Sequence, residues 1–539
     1  MTLTTSERPV DERTDGSTTA VAKKKDPPWG LSLAVLVAGM FMAVLDVTIV
    51  NVAVPAVQKD LGASLEDVLW IATAYTLTLG VVVPLSSWLG NRFGLTNVYL
   101  ASLFGFAIGS ALCGMAWNLE SLIAFRVVQA VSGGILPVMT MTLLYKIVPP
   151  EKIGAAMGMY GLGIVFAPAT GPVLGGYLIE HTNWRLIFYV NVPIAVLGLI
   201  AAVLVLPRFP GGARRPFDAY GFVTAAYGLF AILLAVSKAE DWDWVSYPTL
   251  ILLVSGALSL ALFVVIELER EHPLVDVRVF LTWQFTNSLL ILPVLSISLF
   301  AMMFYVPTFL QQGQGLTALE AGLRLMPQAF VVGFLMPIAG QLYDKIGPRW
   351  LVVIGMLLTG WGSYLLSGIN PDMTEADVIL WTCVRACGMG LSMMPLMTAG
   401  ISALPASRVD QGSAINNLTQ QASAAIGLGI FTTMAVGQQA QMAADRAALM
   451  TQNRAAELPV IPMPPGMGLT PDMMGAGGDR TLAMYGLYQQ TRLHVLGASY
   501  SNVFLVIAGL CVAAVILSFL LRRPPAASPG DTPVAVHAG

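Results

Sequence analysis

Charge is scarce in this sequence. Only 11% of its 539 residues are Asp, Glu, Lys or Arg, against about 25% in soluble domains, and the mean hydropathy is +0.72. A shortage of that size excludes a water-soluble enzyme and assigns most of the chain to lipid. The formal net charge is -3 with no basic tract interleaved with aromatics, so no nucleic-acid partner is expected. The four histidines, His181, His272, His494 and His537, are scattered, and no HExxH, GxSxG or phosphate-loop lysine motif occurs. Converging catalytic groups and a nucleotide loop are therefore missing, and the protein is not expected to be an enzyme. Cys113, Cys383, Cys387 and Cys511 fall in apolar stretches without metal-site spacing and read as packing residues. No metal or cofactor is expected, with protons as the coupling ion. The first 26 residues are polar and lack the apolar core of a cleavable leader.

What is present is a series of apolar runs of about 20 residues, each long enough to cross a bilayer, punctuated by Gly, Pro and short charged loops. The pattern predicts an all-α polytopic membrane protein of about 14 transmembrane helices. The expected organisation is a disordered N-terminus (1–28), a six-helix bundle (29–206), a linker with two extra spans (207–282) and a second six-helix bundle (283–521) that includes a long outer loop (437–496). A disordered tail (522–539) follows. Lys and Arg concentrate on one side of this arrangement, which places both termini in the cytoplasm of a cell whose inner or plasma membrane the chain crosses. Trp184, Trp242 and Trp244 fall on the other side, where an aromatic belt is expected.

The punctuation repeats. Pro55 and Pro307 are 252 positions apart, while Pro84 and Pro337, Arg92 and Lys345, and Gly94 and Gly347 are each 253 apart. Arg126 and Arg385 open what read as matched spans. Two related bundles rocking about a central site is the arrangement such a repeat implies.

Within the first span, VLDVTIVNVAVP (Val44 to Pro55) carries one carboxylate, Asp46. A carboxylate at that depth is costly and faces a cavity or a partner, so Asp46 is the leading candidate for a proton or cation site, with a structural ion pair as the alternative. Arg126 carries Gln129 and Gly133 on its own helix face. A buried guanidinium stays charged, so Arg126 either tunes Asp46 or snorkels at the outer interface. Asn51, about 140° around the helix from Asp46, lines a cavity or bonds a neighbouring helix. Trp70, Tyr75, Met303 and Tyr305 suit an aromatic and thioether cavity for greasy planar compounds. Gln129, Asn417 and Gln421 add polar groups to it, although packing alone is the alternative for each. Gly163, Ala167, Gly171 and Gly175 form a small-residue row beside Pro168, Pro172 and Gly176, suited to close helix approach and bending. The loops LGNRFG, with Asn91, Arg92 and Gly94, and LYDKIG, with Asp344, Lys345 and Gly347, are candidate cytoplasmic gates.

LDVTIVNVAVP, LIAFRVVQAVSGG, APATGPVLGG (Ala167 to Gly176) and WRLIFYVNVP (Trp184 to Pro193) together resemble the fourteen-span drug and proton antiporters of the major facilitator superfamily, the EmrB and QacA type, across nearly all of 30–521. The resemblance implies two six-helix bundles plus two inserted helices, an antiporter motif at Ala167 to Gly176, and a proton-coupling role for Arg126. The sequence departs from the family pattern at Ser87, Asn91, Leu95 and Thr96, which removes the gate carboxylate of the first copy, and at Ala130 in place of glycine. GQLYDKIGPR keeps Asp344. The expected function is proton-coupled export of hydrophobic, cationic drugs or toxic amphiphiles by alternating access. Export of one natural product or siderophore is the alternative, with a proton-coupled nutrient importer as a weaker one. Expected partners are a small hydrophobic substrate and the lipid bilayer, with a periplasmic adaptor protein as a further candidate.

Overall fold

The computed structural model describes residues 29–212, 216–271, 273–449 and 478–522. In chain order its helices are α1 (Trp29–Leu61), α2 (Leu65–Val82), α3 (Leu85–Phe93), α4 (Leu95–Gly114), α5 (Leu119–Ile147), α6 (Ile153–His181), α7 (Leu186–Tyr189) and α8 (Asn191–Val205). They continue as α9 (Ala219–Trp242), α10 (Tyr247–Glu269), α11 (Trp283–Gln312), α12 (Ala318–Ile346), α13 (Pro348–Leu366), α14 (Glu375–Ile401), α15 (Val409–Leu449) and α16 (Gly478–Ser518). Among the described residues twelve helices are long and apolar enough to cross a membrane, and the bent pair α2 and α3 makes a thirteenth crossing. The more polar α15 packs along α5, α9, α11 and α16 and brings the crossings to about fourteen.

Local chemistry sets the helix ends. Asn118, Thr317 and Thr374 open α5, α12 and α14 as reciprocal capping boxes, and Ser64, Asp218 and Ser246 cap α2, α9 and α10. Each satisfies amide groups that the first turn leaves without partners. Gly94 (φ 88°) and Gly347 (φ 80°) turn the chain between α3 and α4 and between α12 and α13. Both sit in the region that L side chains rarely adopt, and they hold equivalent places in the repeat.

The expected second span, 67–88, is not straight: α2 and α3 meet at a 57° bend. Pro84 caps α3 there, and a proline interrupts the hydrogen-bond ladder. The sixth span likewise divides into α7 and α8 at Val190. The largest difference concerns the loop expected at 437–496. Its flanks are helical, because α15 continues to Leu449 and α16 begins at Gly478. Each of these helices has 41 residues, roughly 60 Å of helix, about twice a hydrocarbon core. The Ala and Gln content of 437–449 favours helix without hydropathy, so a reading based on apolar runs stops early. The remaining stretch, 450–477, and the expected disordered ends, 1–28 and most of 522–539, lie outside the described residues.

Two six-helix bundles are packed side by side, with the long seam between them formed by α6 and α12. Gly154 lies against the Gly340 carbonyl, and Phe166 packs edge-on against Phe330 with centroids 5.7 Å apart. The inserted α9 fills the gap between α2 and α15, where Gly80 faces Leu233 and Gly429 faces Val236. Lys238 extends α9 past the apolar run by pairing with Asp241 at 2.8 Å and lying 5.7 Å from the Trp70 ring centroid. Outside α9, α10 exposes Ile251, Val254, Leu258, Leu262 and Val265, one apolar stripe at helical spacing. Trp184, expected in an interfacial belt, is instead buried, and its indole donates to Asp60 at 2.9 Å.

Candidate functional site

Asp46 lies in the middle of α1 and is fully buried. Its Oδ2 accepts from Arg126 Nη1 at 2.5 Å. Its Oδ1 accepts from Gln129 Nε2 at 3.0 Å and from Asn191 Nδ2 at 2.8 Å. Arg126 also donates to Gln129 Oε1 at 2.8 Å and, through Nε, to the Ile71 carbonyl at 3.5 Å. The guanidinium carbon is 3.8 Å from the Tyr75 ring centroid, and Phe188 lies beyond at 5.7 Å. Asn191 donates further to Ser110 Oγ at 3.2 Å, and Ser110 donates to the Phe188 carbonyl at 2.8 Å.

These residues come from α1, α2, α4, α5, α7 and α8, so the whole network belongs to one bundle. Its helix ladder positions it: Arg126 and Gln129 are one turn apart on α5, and both reach α1. A buried ion pair survives only when its remaining lone pairs and N–H groups are satisfied, which Gln129, Asn191 and the Tyr75 face do here. The Asp46 charge is thus matched inside the bundle by one guanidinium and two side-chain amides.

Tyr75 and Gln129, expected to line a substrate cavity, instead belong to this network, and both are fully buried. The other cavity candidates are not brought together. Trp70 lies at the seam between α2 and α9, beside Lys238. Asn51 is exposed on α1. Tyr305 is buried in the second bundle, with its hydroxyl 3.0 Å from Thr432 Oγ1 and its ring 5.0 Å from that of Tyr500. Met303 and Gln421 are half-buried on α11 and α15. Asn417 sits at the boundary of the bundles, donating to the Ser413 carbonyl at 3.0 Å. Asn191 and Ser110 were not singled out by sequence reasoning. Asn191 does stand in the WRLIFYVNVP run, and an amide inside an apolar helix was the available signal.

The small-residue row seats α6 against α1 beside Asp46. A side chain on Gly171 would strike Thr48 and come within 3.2 Å of the Ile49 nitrogen, and one on Gly175 would meet Ile49 at 2.9 Å. Gly163 faces Met40 at 2.7 Å in the same sense, and Ala167 is fully buried between them. Gly176 has open space, and Pro168 and Pro172 on the neighbouring face are half-buried.

At the end of the molecule that carries the start of α1, the two loop motifs reach across the bundles. Asn91 donates to Asp410 Oδ2 at 2.7 Å, at the first turn of α15. In the repeat, Asp344 Oδ1 accepts from the Gly154 amide at 3.2 Å, at the first turn of α6. Asp344 thus uses a helix N-terminus, whereas Asn91 finds its carboxylate on the opposite bundle. Arg92 stacks on Trp88 at 5.3 Å, and Lys345 is exposed beside Asp344.

Residues 36–428 match the family model described as Major Facilitator Superfamily. The chain belongs to that superfamily. It is a multi-pass membrane transporter of small molecules rather than an enzyme. It is 35% identical over 509 residues to an uncharacterized transporter of this type, YhcA of Bacillus subtilis (strain 168), with 93% of this chain and 95% of the relative covered. It is 34% identical over 427 residues to the multidrug export protein EmrB of Haemophilus influenzae, covering 78% and 84% of the two chains. The solved proton:xylose symporter XylE superposes with a TM-score of 0.58 at 11% identity, covering 92% and 96%. That last likeness concerns the fold alone.

Proposed function

We propose that this protein exports hydrophobic, cationic drugs or toxic amphiphiles across the cell membrane in exchange for protons, with both termini in the cytoplasm. The observation that carries the reading is the sealed Asp46 network, one carboxylate held by Arg126, Gln129 and Asn191 in the mid-membrane part of one bundle. Relatives named for multidrug resistance and multidrug export, at 31% and 34% identity, support the substrate class.

In this cycle the cytoplasmic end is the one where Asn91 bonds Asp410 and Asp344 bonds the Gly154 amide. Loss of the Asp46 proton restores the ion pair with Arg126, and gain of a proton releases it, so the two charge states favour different bundle packings. A proton gradient of one pH unit supplies about 1.4 kcal/mol per proton. Membrane potential adds about 2.3 kcal/mol per 100 mV for each net charge moved, so one proton exchanged with one net charge moving supports a concentration ratio of roughly hundredfold or more. The close α1 and α6 seam at Gly171 and Gly175 suits a bundle that must move without leaking ions.

The test is substrate-driven proton movement in proteoliposomes with an imposed pH gradient. Collapse of the gradient by ethidium-like cations, but not in protein-free vesicles, is the expected result. No response to any cation or neutral amphiphile would overturn the exchange. A response confined to one natural product or an iron chelate would instead place the protein with dedicated exporters.

A further inference from the structure

Among the described residues, the second bundle holds a buried cation with no counter-charge. Arg385, in the membrane-crossing part of α14, is 2% exposed. Its Nη2 donates to Ser298 Oγ at 2.7 Å and to the Ser298 carbonyl, while its Nε has no hydrogen-bond partner. No Asp or Glu pairs with it among the described residues, and the titratable side chain that acts on it is the buried Cys511 thiol.

The repeat explains how the position arose. Pro55 and Pro307 match α1 to α11 at an offset of 252, which sets Ser298 in the place of Asp46. The helices α5 and α14 each follow a capping box and begin at 119 and 375, an offset of 256. Gly109 packs on the backbone of Gln129 as Gly362 packs on that of Arg385, giving the same offset. Arg385 therefore stands in the register of Gln129, one turn from the equivalent of Arg126, correcting the pairing of the two arginines drawn from sequence. In the first bundle this junction of two helices joins cation to carboxylate. In the second, Thr382 stands in the place of Arg126, Arg385 in that of Gln129 and the Ser298 hydroxyl in that of the carboxylate.

A guanidinium does not shed its proton in a protein, and a buried charge needs a compensating one. We propose that Arg385, with Ser298, forms an anion site in the second bundle that takes one monovalent anionic group, either a halide or the carboxylate of a bound organic acid. The Nε without a partner and the hydroxyl hydrogen of Ser298, whose oxygen accepts from Arg385, supply two donors for such a group. The site does not depend on the proton-exchange reading above.

The test is thermal unfolding of the purified full-length protein in isethionate buffer, titrated with sodium chloride or with sodium benzoate at constant ionic strength. Wild type is expected to gain about 2 °C or more in a saturable way with at least one of the two. A halide response identifies the inorganic source, and a response to benzoate alone identifies an organic acid. S298D, which supplies a carboxylate from the chain, is expected to unfold at the wild-type temperature in chloride and to ignore both anions. R385Q is expected to lose the response as well, so failure of either variant to fold leaves the other to decide. An unchanged unfolding temperature of wild type in both anions would overturn the site, as would a response that persists in R385Q.

Discussion

The Asn91 amide donates to the Asp410 carboxylate at 2.7 Å, joining the last turn of α3 in one bundle to the start of α15 in the other. The N91D variant sets two carboxylates face to face at this junction and removes a hydrogen bond to a charged group, a loss of about 1.5–3 kcal/mol. It is expected to open this end of the molecule, changing the ratio of conformers by about tenfold or more. Distance measurements between spin labels on the α3 and α15 ends check it. The conservative D410N should recover part of the closed population in the N91D background, because an amide can again donate to a carboxylate.

The row of small residues on α6 makes a second, internally controlled prediction. G171A forces a methyl against Thr48 and the α1 backbone and is expected to lower stability by about 1–3 kcal/mol. G176A meets open space and is expected to be neutral or to stabilise by up to about 1 kcal/mol through helix propensity. Thermal unfolding of the two variants side by side reads the difference.

Tyr75 contributes a ring face to Arg126, while its hydroxyl has no hydrogen-bond partner. Y75F is therefore expected to match wild type in unfolding temperature and transport. Y75L removes the cation-π contact and should cost about 2 kcal/mol in this desolvated setting. A loss in Y75F equal to that in Y75L would show that the hydroxyl, and not the ring, is what matters.

Asn191 is the donor that ties α8 to Asp46. N191L leaves Asp46 one hydrogen bond short and removes the donor to Ser110, with an expected stability loss of about 1–3 kcal/mol. N191S, which keeps a donor on a shorter arm, should lose less. Chemical unfolding of the three proteins orders them.

Much of this architecture was legible because lipid imposes simple rules. Apolar length and Gly or Pro punctuation located the crossings, and a lone carboxylate in such a run marked Asp46, since nothing but function or pairing sustains it there. Arg126 was marked for the same reason. Its contact with Asp46 spans 80 residues of sequence, and no local pattern encodes a distance of that kind. The cavity candidates fared differently, because Trp70, Tyr75 and Tyr305 carry the same residue chemistry whether they face a substrate, a guanidinium or another ring. Register was the subtlest point. Arg126 and Arg385 looked equivalent by residue type, but the capping boxes before α5 and α14 fix the helix starts and shift the match by one turn.

The central claim is that Asp46 is the proton carrier, and the D46N variant tests it most directly. Reconstituted protein is assayed twice, for substrate-substrate exchange without a gradient and for uptake driven by an imposed pH gradient. The account predicts that D46N retains the exchange and loses gradient-driven accumulation. Accumulation by D46N at the wild-type rate would contradict it and leave the Asp46 and Arg126 pair as a structural anchor.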